Sequence, residues 1–213
     1  NNAVLAISGP VTNDTVVAAL AEFSRLPPRN VVPQVETARI VGASRNLTLH
    51  TNVEQPGVVV VWPLPQELAA RTQTLAVGRL VVQRINAALS DLQGSAFATE
   101  IGGAQNDYYV VWIDGHGATV GKIVELARNA VKNVKGFYGD YGFEHASARE
   151  VTQKLQIYDD IDRRIQFALD FHGRGLAAPL ALEQQLAALN SLNKTKAEEI
   201  STTRFNWDEA QII

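Results

Sequence analysis

The four histidines are the residues of this chain best suited to bind a transition metal: His50, His116, His145 and His172. No two of them share a helical turn, and the spacings H-x-x-E-H, H-E-x-x-H and H-x-H are all absent. Glu144 precedes His145 directly, so their side chains would point to different sides of a regular element. The chain has no cysteine, which excludes thiolate zinc sites, disulfides and cysteine nucleophiles. The sequence predicts neither a catalytic residue nor a metal site in this chain.

Three stretches of the chain are rich in glycine, as phosphate-binding loops are: "DGHG", "GDYG" and "HGRG". None has the spacing of a P-loop or of a dinucleotide-binding fingerprint. "DGHG" lies between a strand-like and a helix-like run, where a helix N-terminus could bind an anion. A tight turn that needs positive φ explains Gly115-His116-Gly117 equally well and is favoured. A small-ligand site at this turn is kept as an alternative function.

Acidic and basic residues cluster in "YDDIDRRIQFALDFHGRG". At helical spacing Asp159, Asp162 and Arg163 are near neighbours along the helix. A solvated, self-paired helix face accounts for this cluster better than an acid–base pair does. No serine-nucleophile signature is present.

The amino-acid composition and net charge limit the kinds of molecule that this chain is expected to bind. The net charge is −3 and the isoelectric point is about 5.8, without a concentrated basic face, so we expect no nucleic-acid partner. No apolar run approaches the length of a transmembrane span. Methionine is absent even at position 1, so we expect a fragment or a processed product. The compartment stays open between bacterial periplasm and cytoplasm, with the periplasm favoured.

Hydrophobic periodicity predicts an α+β fold with helices on one face of an antiparallel sheet. The β-branched run "GVVVVWPLP" reads as a buried strand that prolines end. Four elements are predicted to follow. They are a long helix over about Gln66–Ser90, a strand at Phe97–Ile101, a strand in "YYVVWID", and a helix whose apolar face runs from Val120 to Val134. This order, strand-helix-strand-strand-helix, is most of a split β-α-β unit.

The remainder is predicted to be mostly helical, after a break at "GFYGDYGF". One helix is expected from about Ser147 to Phe171, a second over Pro179–Leu192 and a short third from Lys194, before a final strand, "AQII".

A proline-rich segment marks the best candidate for a domain boundary. Pro27, Pro28 and Pro33 lie in "SRLPPRNVVPQVE". We therefore expect residues 1–35 to be a strand-helix and proline-rich segment that joins from a preceding domain, and residues 36–213 to be an α+β domain. "NNAVLAISG" and "WDEAQII" each put a polar lead-in before a short apolar strand, which suggests a protein of repeated domains.

Five stretches resemble those of pitrilysin/insulinase-like zinc peptidases, a family that includes the mitochondrial processing peptidases. They are "NNAVLAISGPVTNDTVVAALAEFSRLP", "GVVVVWPLPQ", "TLAVGRLVVQRINAALSDLQGSAFATEIGG", "DRRIQFALDFHGRG" and "LAALNSLNKTKAEEISTTRFNWDEAQII". Together they cover nearly the whole chain, through the order of elements and a diffuse pattern of residue types.

The resemblance implies one of two homologous α+β halves that enclose a chamber for unfolded peptides. In the family the H-x-x-E-H zinc site lies in one half, and active members carry a substrate-holding arginine and tyrosine in the other. Ser90 stands at the arginine position here and Phe97 at the tyrosine position. Serine cannot make the forked, charged contact of arginine, and phenylalanine lacks the hydroxyl donor. We expect a degenerate substrate-binding site at Ser90 and Phe97.

The first hypothesis is therefore an inactive C-terminal domain or subunit of such a peptidase. It would pair with a catalytic half that holds the zinc, would line the chamber for unfolded peptide, and would have no cofactor of its own. A structural scaffold that keeps the fold without peptidase activity is the second hypothesis. An H-x-x-E-H motif about 150–200 residues upstream of Asn1 would favour the peptidase.

Overall fold

The computed structural model of the 213-residue chain describes residues 7, 9–21, 25, 56–102, 106–133, 140–172 and 177–213. In chain order the elements are α1 (Asn13–Leu20), β1 (Gly57–Pro63), α2 (Leu68–Leu89), β2 (Ser95–Gly102), β3 (Asp107–Asp114), α3 (Val120–Lys132), α4 (Asp140–Leu155), α5 (Ile161–His172), α6 (Ala178–Asn190), α7 (Lys194–Arg204) and β4 (Gln211–Ile212).

The chain divides into two compact units: Asn1–Glu36 with Thr152–Glu183, and Thr37–Val151 with Gln184–Ile213. In the first unit, the Thr12 hydroxyl caps α1 by accepting a hydrogen bond from the Thr15 N–H, at 3.3 Å. The division at residues 35 and 36 expected from the sequence stays a prediction.

The second unit contains a four-stranded antiparallel sheet in the order β2-β3-β1-β4. Side chains along β1 alternate between the buried and the more exposed face of the sheet. Val58, Val60 and Trp62 of β1 are buried, and their neighbours are more exposed. The predicted α+β class with an antiparallel sheet is confirmed, and so is the order strand-helix-strand-strand-helix.

The core of the second unit lies between one face of the sheet and helices α2, α3 and α7. Trp62 lies at its centre, with its ring edge-on to Phe205 at a centroid distance of 5.4 Å. The Trp62 indole N–H donates to the Asn206 carbonyl at 3.1 Å. The helices supply the apolar side chains Val77, Val81, Ile85, Ile123, Ala127 and Val131.

The single helix predicted from Ser147 to Phe171 is wrong. The structure has two helices, α4 and α5, separated by one turn of 3₁₀ helix at Gln156–Tyr158. The Asp160 carboxylate caps α5, because it accepts from the N–H groups of Asp162 and Arg163 at 2.9 and 3.1 Å. Asp159 lies before that cap, so it does not share a helix with Asp162 and Arg163 as predicted.

The break predicted at "GFYGDYGF" is shorter than the sequence suggested, since α4 already begins at Asp140, within that stretch and before the predicted start at Ser147. The final strand predicted at "AQII" is confirmed as β4. The short apolar strand predicted in "NNAVLAISG", the proline-rich segment and His50 fall, apart from isolated positions, outside the described residues.

Two basic side chains of α3 hold the segment that leads into β4. Lys132 and Arg128 both reach the Asp208 carboxylate, at 3.2 and 3.0 Å. These hydrogen bonds, that of Lys132 first, lower the pKa of the Asp208 carboxyl below its ordinary value. The segment before β4 is thus fastened to α3 by charge, and β4 itself pairs with β1 through backbone hydrogen bonds.

We expect the Asp208 contacts to stabilise the fold at neutral pH and to be lost in acid. A carboxyl with a lowered folded-state pKa contributes above its unfolded-state pKa, and that contribution disappears as the pH falls through the folded-state pKa. Urea unfolding of the unchanged chain and of Asp208→Asn, from pH 7 down to about pH 3, should therefore show stability curves that converge in acid. Because the group is exposed, added salt should reduce the difference at pH 7. A difference that is constant with pH would contradict this assignment.

Gly78, in the middle of α2, is required by packing. A Cβ at this position would lie 2.7 Å from Cζ of Tyr109 and 2.9 Å from Cζ of Phe205, and both of these rings are buried. We expect Gly78→Ala to lower the free energy of unfolding by about 1–3 kcal/mol, because the crowded rings outweigh the gain in helix propensity.

Gly121 of α3 is the matched control for Gly78, because a Cβ there meets no atom within 4 Å. Gly121→Ala should raise the free energy of unfolding by about 0.5 kcal/mol. Urea unfolding of both variants checks the pair, and equal effects at the two positions would refute the packing argument.

Candidate functional site at the junction of α2 and β2

The junction between α2 and β2 is a tight turn. After α2, one turn of 3₁₀ helix at Ser90–Leu92 leads to Gln93, whose φ of 49° lies in the left-handed region. A Cβ on the next residue, Gly94, would lie 2.6 Å from the carbonyl oxygen of Asp114, so only glycine fits there. The Asp114 carboxylate then accepts from the Ser95 N–H at 2.7 Å and fixes the start of β2.

Ser90 bonds within its own helix. Its hydroxyl donates to the Ala87 carbonyl at 3.0 Å, and the residue is exposed at the end of α2. A neutral hydroxyl engaged in this way offers no charged, two-pronged contact to a peptide carbonyl. The predicted role of Ser90 in binding substrate stays a prediction.

Phe97 lies on the face of the sheet opposite to α2. The even-numbered residues of β2 face the helix, since Ala96 is buried and Glu100 reaches Arg71 of α2. Phe97 stacks on Trp112 of β3, with ring centroids 6.2 Å apart and planes within 10°. Phe97 is 58% exposed and Trp112 is 41% exposed, so the pair forms an open aromatic surface.

The open face of the sheet is largely apolar around this pair. In the strand register Trp112 lies between Phe97 and Val59, and Ile101 lies beside Tyr108. Ile101 is itself 46% exposed. The resemblance indicated Phe97 but not Trp112. The alternation of Tyr108, Val110 and Trp112 within "YYVVWID" was the signal that could have indicated it.

Two polar side chains hold α2 against β2 and β3. At the start of the helix the buried Arg71 guanidinium pairs with the carboxylates of Asp107 and Glu100. Near its end Asn86 makes two hydrogen bonds to the backbone of Ala96. The carboxylates meet an arginine rather than each other, which is the arrangement of a structural ion pair.

The buried hydroxyl of Tyr109 has no hydrogen-bond partner. Burial raises the pKa of this phenol well above its ordinary value, although the positive charge of Arg79 opposes the shift. Arg79 pairs with the buried Glu150 of α4 at 2.5 Å. The Tyr109 phenol therefore stays protonated at physiological pH, which does not suit it to act as a base.

The buried polar residues in the first half of α2 do not suit a zinc ion. Thr72 and Thr74 donate their hydroxyl hydrogens to carbonyls of the preceding helical turn, and the Gln73 amide donates to Ala188. Arg71 adds a positive charge there. Within the described part of the chain, no group of three His, Cys, Asp or Glu side chains could hold a metal ion.

The turn at Gly115-His116-Gly117 is confirmed, with Gly117 at a φ of 68°. Thr119 follows it and caps α3 by accepting from the Lys122 N–H at 3.3 Å.

Among the described helices, none is long and apolar enough to cross a membrane.

The stacked rings of Phe97 and Trp112 should be energetically coupled. We expect a double-mutant cycle of Phe97→Ala and Trp112→Ala, followed by urea unfolding, to give a coupling free energy of about 0.5–1 kcal/mol. The stack lies outside the core, so each single variant should remain folded. Additive single effects would mean that the stacking contributes nothing.

No protein-family model matches the sequence, and neither does any curated protein. Similar folds are found among solved structures. The periplasmic protease PqqL from Escherichia coli matches 95% of this chain at a TM-score of 0.66 and 10% identity. The inactive peptidase domain of a candidate zinc protease from Bordetella parapertussis matches 78% at a TM-score of 0.63 and 13% identity.

The extent of these matches differs between the two proteins. The chain spans 95% of the Bordetella domain but only 25% of PqqL. Pitrilysin itself matches 74% of the chain at a TM-score of 0.53 and 11% identity, over 18% of its own length. At such identities a likeness shows the fold alone. The chain therefore has the fold seen in domains of pitrilysin- and insulinase-like zinc proteases.

Proposed function

We propose that this chain is a non-catalytic half domain of a pitrilysin/insulinase-like zinc peptidase. It forms part of the wall of a chamber for unfolded peptide and pairs with a catalytic half that carries H-x-x-E-H. The observation that carries the proposal is the fold match, which includes an inactive peptidase domain over 78% of this chain.

The described side chains support the non-catalytic assignment, because no group of three His, Cys, Asp or Glu among them could hold a metal ion. The positively charged Arg71 and the self-bonded hydroxyls of Thr72 and Thr74 provide no imidazole or free carboxylate for zinc. Zinc is therefore expected only in the partner half, where it would polarise the peptide carbonyl and activate water. The contribution of this chain is to bind and orient peptide.

The open face around Phe97 and Trp112 is the surface proposed to contact peptide. Apolar and aromatic side chains of an unfolded segment can pack on these two exposed rings. The neighbouring edge of β2 can bind an extended backbone by adding it as a further strand. Ser90, at the same junction, is neutral, so contacts from this half are mainly apolar and backbone-mediated.

A scaffold without peptidase activity is the second candidate. It is favoured by Ser90, whose hydroxyl donates to the Ala87 carbonyl of its own helix. It differs from the first in one respect: loss of the aromatic surface would not change any peptide hydrolysis. Peptide hydrolysis by this chain mixed with a catalytic half separates the two candidates.

The purified chain should contain less than about 0.1 zinc per molecule by elemental analysis, and alone it should not cleave a quenched fluorescent peptide. Mixed with an H-x-x-E-H half from the same or a neighbouring gene, it should support hydrolysis. Phe97→Ala with Trp112→Ala should then lower kcat/KM about 5–10-fold, because apolar contact area for peptide is lost.

Val120→Ala is the matched control, since Val120 is an exposed apolar residue on α3, away from the open face. It should leave kcat/KM unchanged. Stoichiometric zinc in this chain would refute the non-catalytic assignment. Hydrolysis that does not respond to this chain or to the aromatic variants would favour the scaffold.

A further inference from the structure

Asn86 makes an unusual pair of contacts with the first part of β2. Its side-chain N–H donates to the Ala96 carbonyl at 2.8 Å, and its side-chain oxygen accepts from the Ala96 N–H at 2.6 Å. A carboxamide has the same donor and acceptor as a peptide group. Asn86 therefore gives Ala96 the two hydrogen bonds that a residue of a paired antiparallel strand would give.

The backbone directions in the sheet show that these bonds lie on the free side of β2. The Leu64 N–H donates to the Asp107 carbonyl at 2.8 Å, so the odd-numbered residues of β3 direct their backbone groups to β1. Its even-numbered residues bond to the odd-numbered residues of β2, such as Phe97 opposite Trp112. The backbone N–H and C=O groups of successive strand residues point to opposite sides. Those of Ala96, Ala98 and Glu100 therefore point away from β3.

Among the described strands β2 is one of the two edge strands of the sheet, with β4 at the other edge, and most residues of β2 are exposed. An edge strand presents unpaired backbone groups that another chain can bind. Asn86, in the last turn of α2, occupies this edge at Ala96. The following outward positions, Ala98 and Glu100, lie beyond the reach of the same side chain, since each is a further two residues along the strand.

We propose that Asn86 is an edge cap that occupies the first strand-pairing position of β2 and confines an added peptide strand to Ala98–Gly102. The inference rests on the peptide-binding role proposed above. The occupant is an extended polypeptide, because the bonds that Asn86 makes are those of a peptide backbone. The cap also limits pairing between β2 edges of two copies of this chain.

Site-resolved amide hydrogen exchange tests the cap itself. In Asn86→Ala the Ala96 amide should exchange about 10-fold faster than in the unchanged chain, because its acceptor is removed. Gln83→Ala is the matched control, since Gln83 is an exposed residue on the same helix. It should leave Ala96 exchange unchanged.

The second arm adds a synthetic peptide of alternating threonine and valine, eight residues long, with a lysine at each end. In the unchanged chain it should protect the Ala98 and Glu100 amides and leave Ala96 as it was. In Asn86→Ala protection should extend to Ala96, with a Kd about 5–10-fold lower because one more pair of hydrogen bonds forms.

Unchanged Ala96 exchange in Asn86→Ala would overturn the cap, whatever the peptide does. Peptide-induced protection that begins before Ala98 in the unchanged chain would overturn the confinement. Faster Ala96 exchange with no protection by peptide in any variant would overturn both the confinement and the peptide-binding part of the proposed function, while the hydrogen bonds of Asn86 would stand.

Discussion

The buried guanidinium of Arg71 fixes how the long helix sits against the sheet. It pairs with Asp107 at the start of β3 and with Glu100 near the end of β2, so one side chain joins α2 to both strands of the hairpin. Separating a buried charge from its partner costs about 3–5 kcal/mol. The helix therefore cannot shift along the hairpin without leaving a charge unpaired. With Asn86 near its other end, α2 is held to β2 over most of its length, and the open face stays on the far side.

Much of this fold could be predicted from the sequence because its strongest elements carry their own signals. The β-branched run before Pro63 and the apolar stripe of α3 need no distant partner to be recognised. The region from Ser147 to Phe171 was different, since its apolar pattern continues through the break. The break depends on one carboxylate, that of Asp160, which caps a new helix. Hydrophobic periodicity does not reveal such a side-chain cap, which competes with continuation of the helix.

The candidate site could be predicted only in part. The resemblance indicated Ser90 and Phe97 by position, but the ring that stacks on Phe97 belongs to another strand. Trp112 becomes its neighbour through the register of β2 with β3. Asn86 is ten residues from Ala96 and contacts it only because the chain reverses between them. A polar helix residue gives no sequence signal that it will bond to a strand backbone.

Gly94 has a consequence for the chemical character of the whole surface. Its close approach to Asp114, with the bond from Ser95 to the Asp114 carboxylate, sets where β2 begins to pair. Side chains alternate along a strand, so an insertion of one residue in this turn would exchange the two faces of β2. Phe97 and Ile101 would then point at α2, into space now filled by small alanines, and Glu100 would lose Arg71 and face outward. The length of this turn therefore determines whether this sheet shows the solvent aromatic rings or a carboxylate.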